Sequence, residues 1–321
     1  SPGFLYQQGG RAIEPGKPQL TQHELAERLA FFLWNSIPDA PLLAAATRGE
    51  LTDAAKRRAQ VERMLRDPKA ERFLEHFLGQ WLDLRQIDFT APDSDLYPEF
   101  DDLLQWSMVE ETKAFFRELL CDDLSVRNVI HSDFAMLNDR LAKHYGIPGV
   151  RGAELRKVSL PKDSVRGGVM TQGSVLKVTA NGTTTSPVVR GVWLSERILG
   201  VPPDPPPPGL PAIEPDIRGA TTVRQQLEQH RSVASCATCH VKIDPPGVAL
   251  ENFNVIGGWR ETYRAVDPKR SMDRVKYIPD APPPLRYVEA LPVDASDKLP
   301  DGRAFRNVRE FKQHLLADPD Q

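Results

Sequence analysis

Along most of this chain apolar positions return every three or four residues, the period of helices with one buried face, and recognisable caps punctuate the pattern. Thr21, with Glu24 three residues on, forms a capping box, and Leu25, Leu29 and Phe32 then share a face until Pro38 stops the helix. A second helix is predicted from about Thr52 to Leu65, with Val61 and Leu65 inward. Asp67 and Pro68 supply an N-cap and first-turn proline for a third, in which Phe73, Phe77 and Trp81 stack at i, i+4 and i+8. That aromatic stripe reads as core rather than as a cofactor wall, because a three-helix unit must bury such a face. His23 and His76 fall on the charged faces and read as solvated.

A longer helix follows over about Phe100 to Leu120, carrying Leu103, Trp106, Phe116 and Leu119, with Cys121 at its end as a small buried thiol. Its Glu110 and Glu111 are adjacent, so they point about 100° apart and read as a solvated face rather than a converging pair of catalytic carboxylates. Asn138 to His144 forms a short helix closed by Gly146, and residues 154 to 160 form a strand. Ser186 and Pro187 open a helix that carries Trp193 and ends at Gly200; Thr222 and Gln225 cap another that runs to about Arg231. The chain is therefore mainly α.

The 29 prolines are concentrated in two runs, Val201 to Gly209 and Ile278 to Pro284. Such runs favour an extended polyproline II path and exclude helix, so the first marks the best domain boundary. As a spacer between packed segments it needs no SH3 or WW partner. The expected organisation is an N-terminal helical domain over 1–90, a second helical domain over 91–200, a strap over 201–221 and a haem module over 222–321.

That module is expected from Cys236-Ala237-Thr238-Cys239-His240, the attachment signature of c-type haem. On one helical turn the two thiols share a face that reaches the porphyrin, and the next residue turns its imidazole under the iron. A redox dithiol would want a surrounding βαβ pattern, and structural zinc would want further Cys or His at short spacing; the only other cysteine is Cys121, far upstream. One motif implies one covalent haem, with His240 as proximal ligand. Electron transfer or an open catalytic iron then depends on the sixth ligand. Met64, Met108 and Met136 lie in helical patterns and read as core, which leaves Met170 in its glycine-flanked loop first, then Met272, His144 and His230, or an open site. After His240, Ile243 to Gly247 reads as a turn away from the iron. The segments 249–253 and 257–260 are expected to wall the porphyrin, with Arg260 meeting a propionate.

The remaining chemistry is mostly exclusion. The glycines of 166–176 are too loosely spaced for a phosphate loop and lack the accompanying Gly-Lys-Ser/Thr, and a formal net charge of -3 with no basic run argues against a nucleic-acid partner. No apolar stretch is long enough to span a bilayer, and the first residues lack a charged start and apolar run. The chain is thus expected to begin after processing or within a longer polypeptide.

The segments 25–34, 137–147 and 185–191, the polyproline strap, and above all Cys236 to His240 with Ile243-Asp244-Pro245 and Ala249 to Phe253 resemble planctomycete-type cytochrome c domain proteins. The resemblance covers nearly the whole chain. It implies an exported bacterial protein, periplasmic or extracellular, with further domains before this point and a redox partner protein or neighbouring cytochrome domains. One departure is an insert from about Ala265 to Glu289, a possible contact surface or ligand loop. The expected function is extracytoplasmic electron transfer. The alternatives are a peroxidase-like haem enzyme, the electron-accepting module of a sugar or alcohol oxidoreductase, and a subunit of a larger extracellular assembly.

Overall fold

The computed structural model describes residues 12–14, 17–18, 20–203, 222–231, 234–266 and 287–318. These are mainly helical, with four small antiparallel two-stranded sheets among them. Two compact units divide the chain, Ser1–Gln80 with Phe116–Leu124, and Trp81–Phe115 with Ser125–Gln321.

The first unit opens with β1 (Ala12–Glu14) paired to β2 (Lys17–Pro18), then α1 (Gln22–Trp34), α2 (Ala40–Thr47), α3 (Ala54–Leu65) and α4 (Glu71–Trp81). The Thr21–Glu24 capping box is formed in both directions, and Asp39, Asp53 and Asp67 accept first-turn backbone N–H groups in the same way. The buried face of α1 is Ala26, Ala30, Leu33 and Trp34, which meets Leu42, Ala45, Leu51 and Met64. This corrects the expected stripe: Phe32 is exposed and Leu25 and Leu29 are only half-buried, because alanines let α1 approach its neighbours more closely than an aromatic face permits. Likewise Leu74 and Leu78 are the buried positions of α4, while Phe77 is largely exposed and stacks on Phe73, which in turn contacts Phe32. Trp34 anchors the core, donating from Nε1 to the Met64 carbonyl at 2.9 Å beneath Arg63 and Lys69.

The first long helix of the second unit is α5 (Asp102–Cys121), whose residues from Phe116 on count with the first unit. Of the expected face, Phe116 and Leu119 are buried but Leu103 and Trp106 are exposed, and Leu104, Met108 and Phe115 join the interior instead. Cys121 is exposed rather than buried, since α5 frays there into a solvent-facing turn. Next come β3 (Phe134–Leu137), α6 (Asp139–Tyr145) closed by Gly146 at φ +70°, and β4 (Arg156–Ser159), the expected strand, which pairs antiparallel with the unanticipated β3. The order continues with α7 (Gly173–Val178), α8 (Pro187–Arg197), α9 (Val223–Arg231), α10 (Ala234–Val248), β5 (Thr262–Val266), β6 (Tyr287–Pro292), β7 (Asp297–Lys298), β8 (Ala304–Phe305) and α11 (Val308–Ala317). Strands β5 and β6 pair across the insert, whose residues 267–286 lie outside the described residues. The segments on either side of the proline run pack together, α8 against α10, so the compact units do not follow the strap.

Candidate functional site

The Cys236-to-His240 motif lies on α10, and two glycines bring that helix against α8. A Cβ on Gly191 would stand 1.6 Å from the Ile243 carbonyl oxygen, and one on Gly247 would stand 1.8 Å from the Pro187 oxygen. No side chain fits at either point, so the two backbones touch. The helix also runs through Asp244 to Gly247, where a turn was expected, and carries Pro245 and Pro246 inside it. Proline normally breaks a helix interior. Here the contact at Gly247 and the bonds made by Asp244 hold the helical path.

Just past α10 the chain is locked from below. Arg190 of α8 is fully buried and donates from Nη1 to the Leu250 and Phe253 carbonyls at 2.9 and 2.7 Å, and from Nη2 to Asn254 O at 3.0 Å. Glu251, 3.7 Å from Arg190, accepts at Oε2 from Thr185, Arg260 and Tyr263 at 2.9, 3.1 and 3.1 Å. Burial pulls the Arg190 guanidinium down to about 10 and pushes the Tyr263 phenol up. Arg260, expected at a propionate, spends its guanidinium on Glu251 and Thr185.

On α10 itself, Cys236 is buried, Cys239 is half-buried one turn later, and His240 follows. His240 Nδ1 lies 2.9 Å from Oδ1 of Asp244, one turn on and fully buried. Arg231 of α9 donates from Nε to Asp244 Oδ2 at 2.8 Å and from Nη2 to Asp297 Oδ2 at 3.0 Å. With a carboxylate as acceptor, the ring carries its proton on Nδ1, and Nε2 is its acceptor nitrogen. Cys239 and Thr238 open onto a cavity of about 350 Å³ with a mainly apolar wall that includes Leu199, Ile243, Phe311 and Leu315. Lys242 and Arg303 lie on the same wall with Asp301 and Asp318, and Arg303 is paired with both carboxylates; neither cation was anticipated from the sequence. Neither Cys236 nor His240 lines the cavity. Among the described residues no three His, Cys, Asp or Glu side chains converge as a metal-binding group.

Of the expected sixth ligands, Met170 is fully buried in the turn Val169–Thr171 and is not part of the cavity wall. To reach an iron there it would have to leave that packing. His144 is held by the Ile256 carbonyl at 2.8 Å from Nε2, and burial pulls its pKa down to about 4, so it is neutral near pH 7. Met272 and the His230 side chain lie outside the described residues. Met64, Met108 and Met136 are buried as expected, although Met136 lies on β3 rather than in a helix.

A second buried cluster lies on α5. Glu111, expected on a solvated face, is fully enclosed; it accepts from the Tyr145 hydroxyl at 2.6 Å, and burial pushes its carboxyl up to about 8 against the opposing pull of that hydroxyl and of Arg166. Arg166 sits 3.7 Å over the Tyr145 ring and donates to the Thr171 and Gly257 carbonyls. Nothing in the adjacent pair Glu110-Glu111 marks this, because the burying groups come from segments 34 and 55 residues downstream.

Residues 20–147 match the family model described as PSD4, protein of unknown function (DUF1592), and residues 166–263 match PSCyt3, protein of unknown function (DUF1588). Both are domains of planctomycete cytochrome c-type proteins, and the second spans the proline run, α8, α10 and the Cys-x-x-Cys-His motif. No curated protein and no solved structure matches the chain.

Proposed function

We propose, with the two matched cytochrome-type domains as premise, that this chain carries one covalently bound c-type haem and transfers electrons outside the cytoplasmic membrane. The observation that carries the reading is the arrangement on α10: two thiols three residues apart, one opening on an apolar cavity, followed by an imidazole whose Nδ1 faces a buried carboxylate. That donor set fits haem c. When bound, the haem supplies a one-electron ferric/ferrous couple.

The protein's own part follows from the residues present. Cys236 and Cys239 would tether the porphyrin, and His240 would ligate its iron through Nε2. The cavity wall excludes water from one face, and Lys242 answers propionate charge, since Arg303 is already paired with Asp301 and Asp318. A zinc reading would need further thiols or imidazoles converging on Cys236 and Cys239, and the described residues bring none there. Among those residues no helix is long and apolar enough to cross a membrane. The partner is then another redox protein or a neighbouring cytochrome domain.

The optical spectrum of the purified chain tests this, recorded oxidised, reduced, and reduced under carbon monoxide. A reduced c-type spectrum indifferent to carbon monoxide supports electron transfer through a six-coordinate iron, and Met170→Ala then tests that sulfur. A spectrum that shifts with carbon monoxide favours a catalytic iron. Absence of any haem band from chains made in a host with haem-attachment machinery sinks the proposal.

A further inference from the structure

The carboxylate behind His240 is itself held from behind. Asp244 lies on the same helix, fully buried, and each of its two oxygens has a partner: Oδ1 faces His240 Nδ1, and Oδ2 takes the Arg231 guanidinium at 2.8 Å. Arg231 comes from a different helix, and its other arm is fixed by Asp297 on β7, 3.0 Å away. Three elements are therefore linked through Asp244 to one imidazole, and neither His240 nor any of the three charged side chains lines the cavity beside Cys239. A buried carboxylate that is merely structural needs its charge balanced, which Arg231 already does. The bond to His240 is beyond that need.

We infer that Asp244 is the positioning residue for the axial histidine, with Arg231 and Asp297 setting how strongly it acts. The inference rests on the haem reading proposed above. A carboxylate that accepts from Nδ1–H fixes the ring's tautomer and orientation and raises the basicity of Nε2. A more basic axial nitrogen favours ferric over ferrous iron, so Asp244 lowers the reduction potential. Arg231 draws on the same carboxylate from its other oxygen and limits the effect. The potential of the site is thus poised by a relay of opposed charges rather than by the ligand alone.

The test is potentiometric titration of the haem-loaded full chain and three variants. Asp244→Asn is expected to raise the ferrous-to-ferric ratio at fixed potential at least tenfold, which is about 59 mV for one electron. Arg231→Gln is expected to move it the opposite way, since the carboxylate then acts on His240 alone. Asp297→Asn removes the same charge as Asp244→Asn without touching the histidine, and is expected to give a clearly smaller rise. Equal shifts for Asp244→Asn and Asp297→Asn would reduce the effect to general charge and overturn the inference, as would unchanged potentials in variants that keep their haem. Should Asp244→Asn fail to load, the sign of the Arg231→Gln shift decides: a rise overturns, a fall supports. A wild-type chain with no haem fails the earlier proposal instead. The apo chain then supplies a separate readout, because ¹⁵N shifts must show His240 protonated on Nδ1 in wild type and lose that preference in Asp244→Asn.

Discussion

Gly191→Ala adds a single methyl to α8, and the structure says how far the haem-motif helix must move to admit it. The new Cβ would stand 1.6 Å from the Ile243 oxygen and 2.8 Å from its carbon, where real Cβ atoms keep at least 3.0 Å; the carbonyl must retreat by 3.0 − 1.6 = 1.4 Å. Both atoms belong to backbone, so no side chain can rotate aside. A gap of that size along a packed helix pair forfeits a large part of its dispersion attraction, and overpacking costs about 1–3 kcal/mol or more. The opposing gain is alanine's helix preference, about 0.5–1 kcal/mol. With the clash at the top of its range the net is a loss of about 2 kcal/mol. Gly247→Ala behaves alike, since its Cβ would need 3.0 − 1.8 = 1.2 Å of retreat from the Pro187 oxygen. Calorimetry of the full chain measures it, with the transition of the second unit expected to fall while that of the first, which contains neither helix, stays fixed. A Gly191→Ala chain as stable as wild type, or more so, would refute the contact and the reasoning built on it.

Other expectations concern buried charge and thiols. Glu111 titrates near 8 folded against an ordinary value of 4.5, so the folded state holds an extra proton between those limits and wild-type stability falls as pH rises through that window. Glu111→Gln, which still accepts from Tyr145, should match wild type near pH 4 and exceed it by a few kcal/mol by pH 8 in urea unfolding; a difference independent of pH would remove the carboxyl from that role. Lys312 of α11 is buried against the Gly167 carbonyl, and burial pulls its pKa down to about 7 from 10.5. The unfolded chain then binds more protons between pH 7 and 10.5, so wild-type stability should rise with pH across that range, and Lys312→Met should abolish the rise. Thiol counting in urea gives a spectrum-independent check on attachment: a haem-bearing chain should show one reactive thiol, Cys121, and a chain without covalent haem should show three.

What the sequence makes legible here is mostly local. Thr21 with Glu24, Thr222 with Gln225, Ser186 before Pro187 and Gly146 after α6 each act within a turn of themselves, and each forms the cap its spacing predicts. The Cys-x-x-Cys-His motif is helical for the same reason. Faces were harder to read. Aromatics dominate any periodicity count, yet Ala26, Ala30, Leu74 and Leu78 take the interior because close helix approach rewards small and branched aliphatic side chains, leaving Phe32 and Phe77 at the margin. Least legible are pairings across sequence. Gly191 and Gly247 look like unremarkable helix interruptions until they oppose each other's neighbours. The carboxylates of Glu111 and Asp244 acquire their roles only from Tyr145 and Arg231, which no spacing rule connects to them.

The seam between α8 and α10 also decides what can be transplanted. The attachment motif looks portable, a short peptide downstream of a proline run that invites a cut. Cut there, the graft would leave behind Gly191, Arg190 and Thr185, the groups that shape α10 and close the chain after it. A functional donor fragment must therefore start well upstream of the prolines, and recombination that respects the run as a joint would deliver a peptide with cysteines and a histidine but no scaffold to aim them.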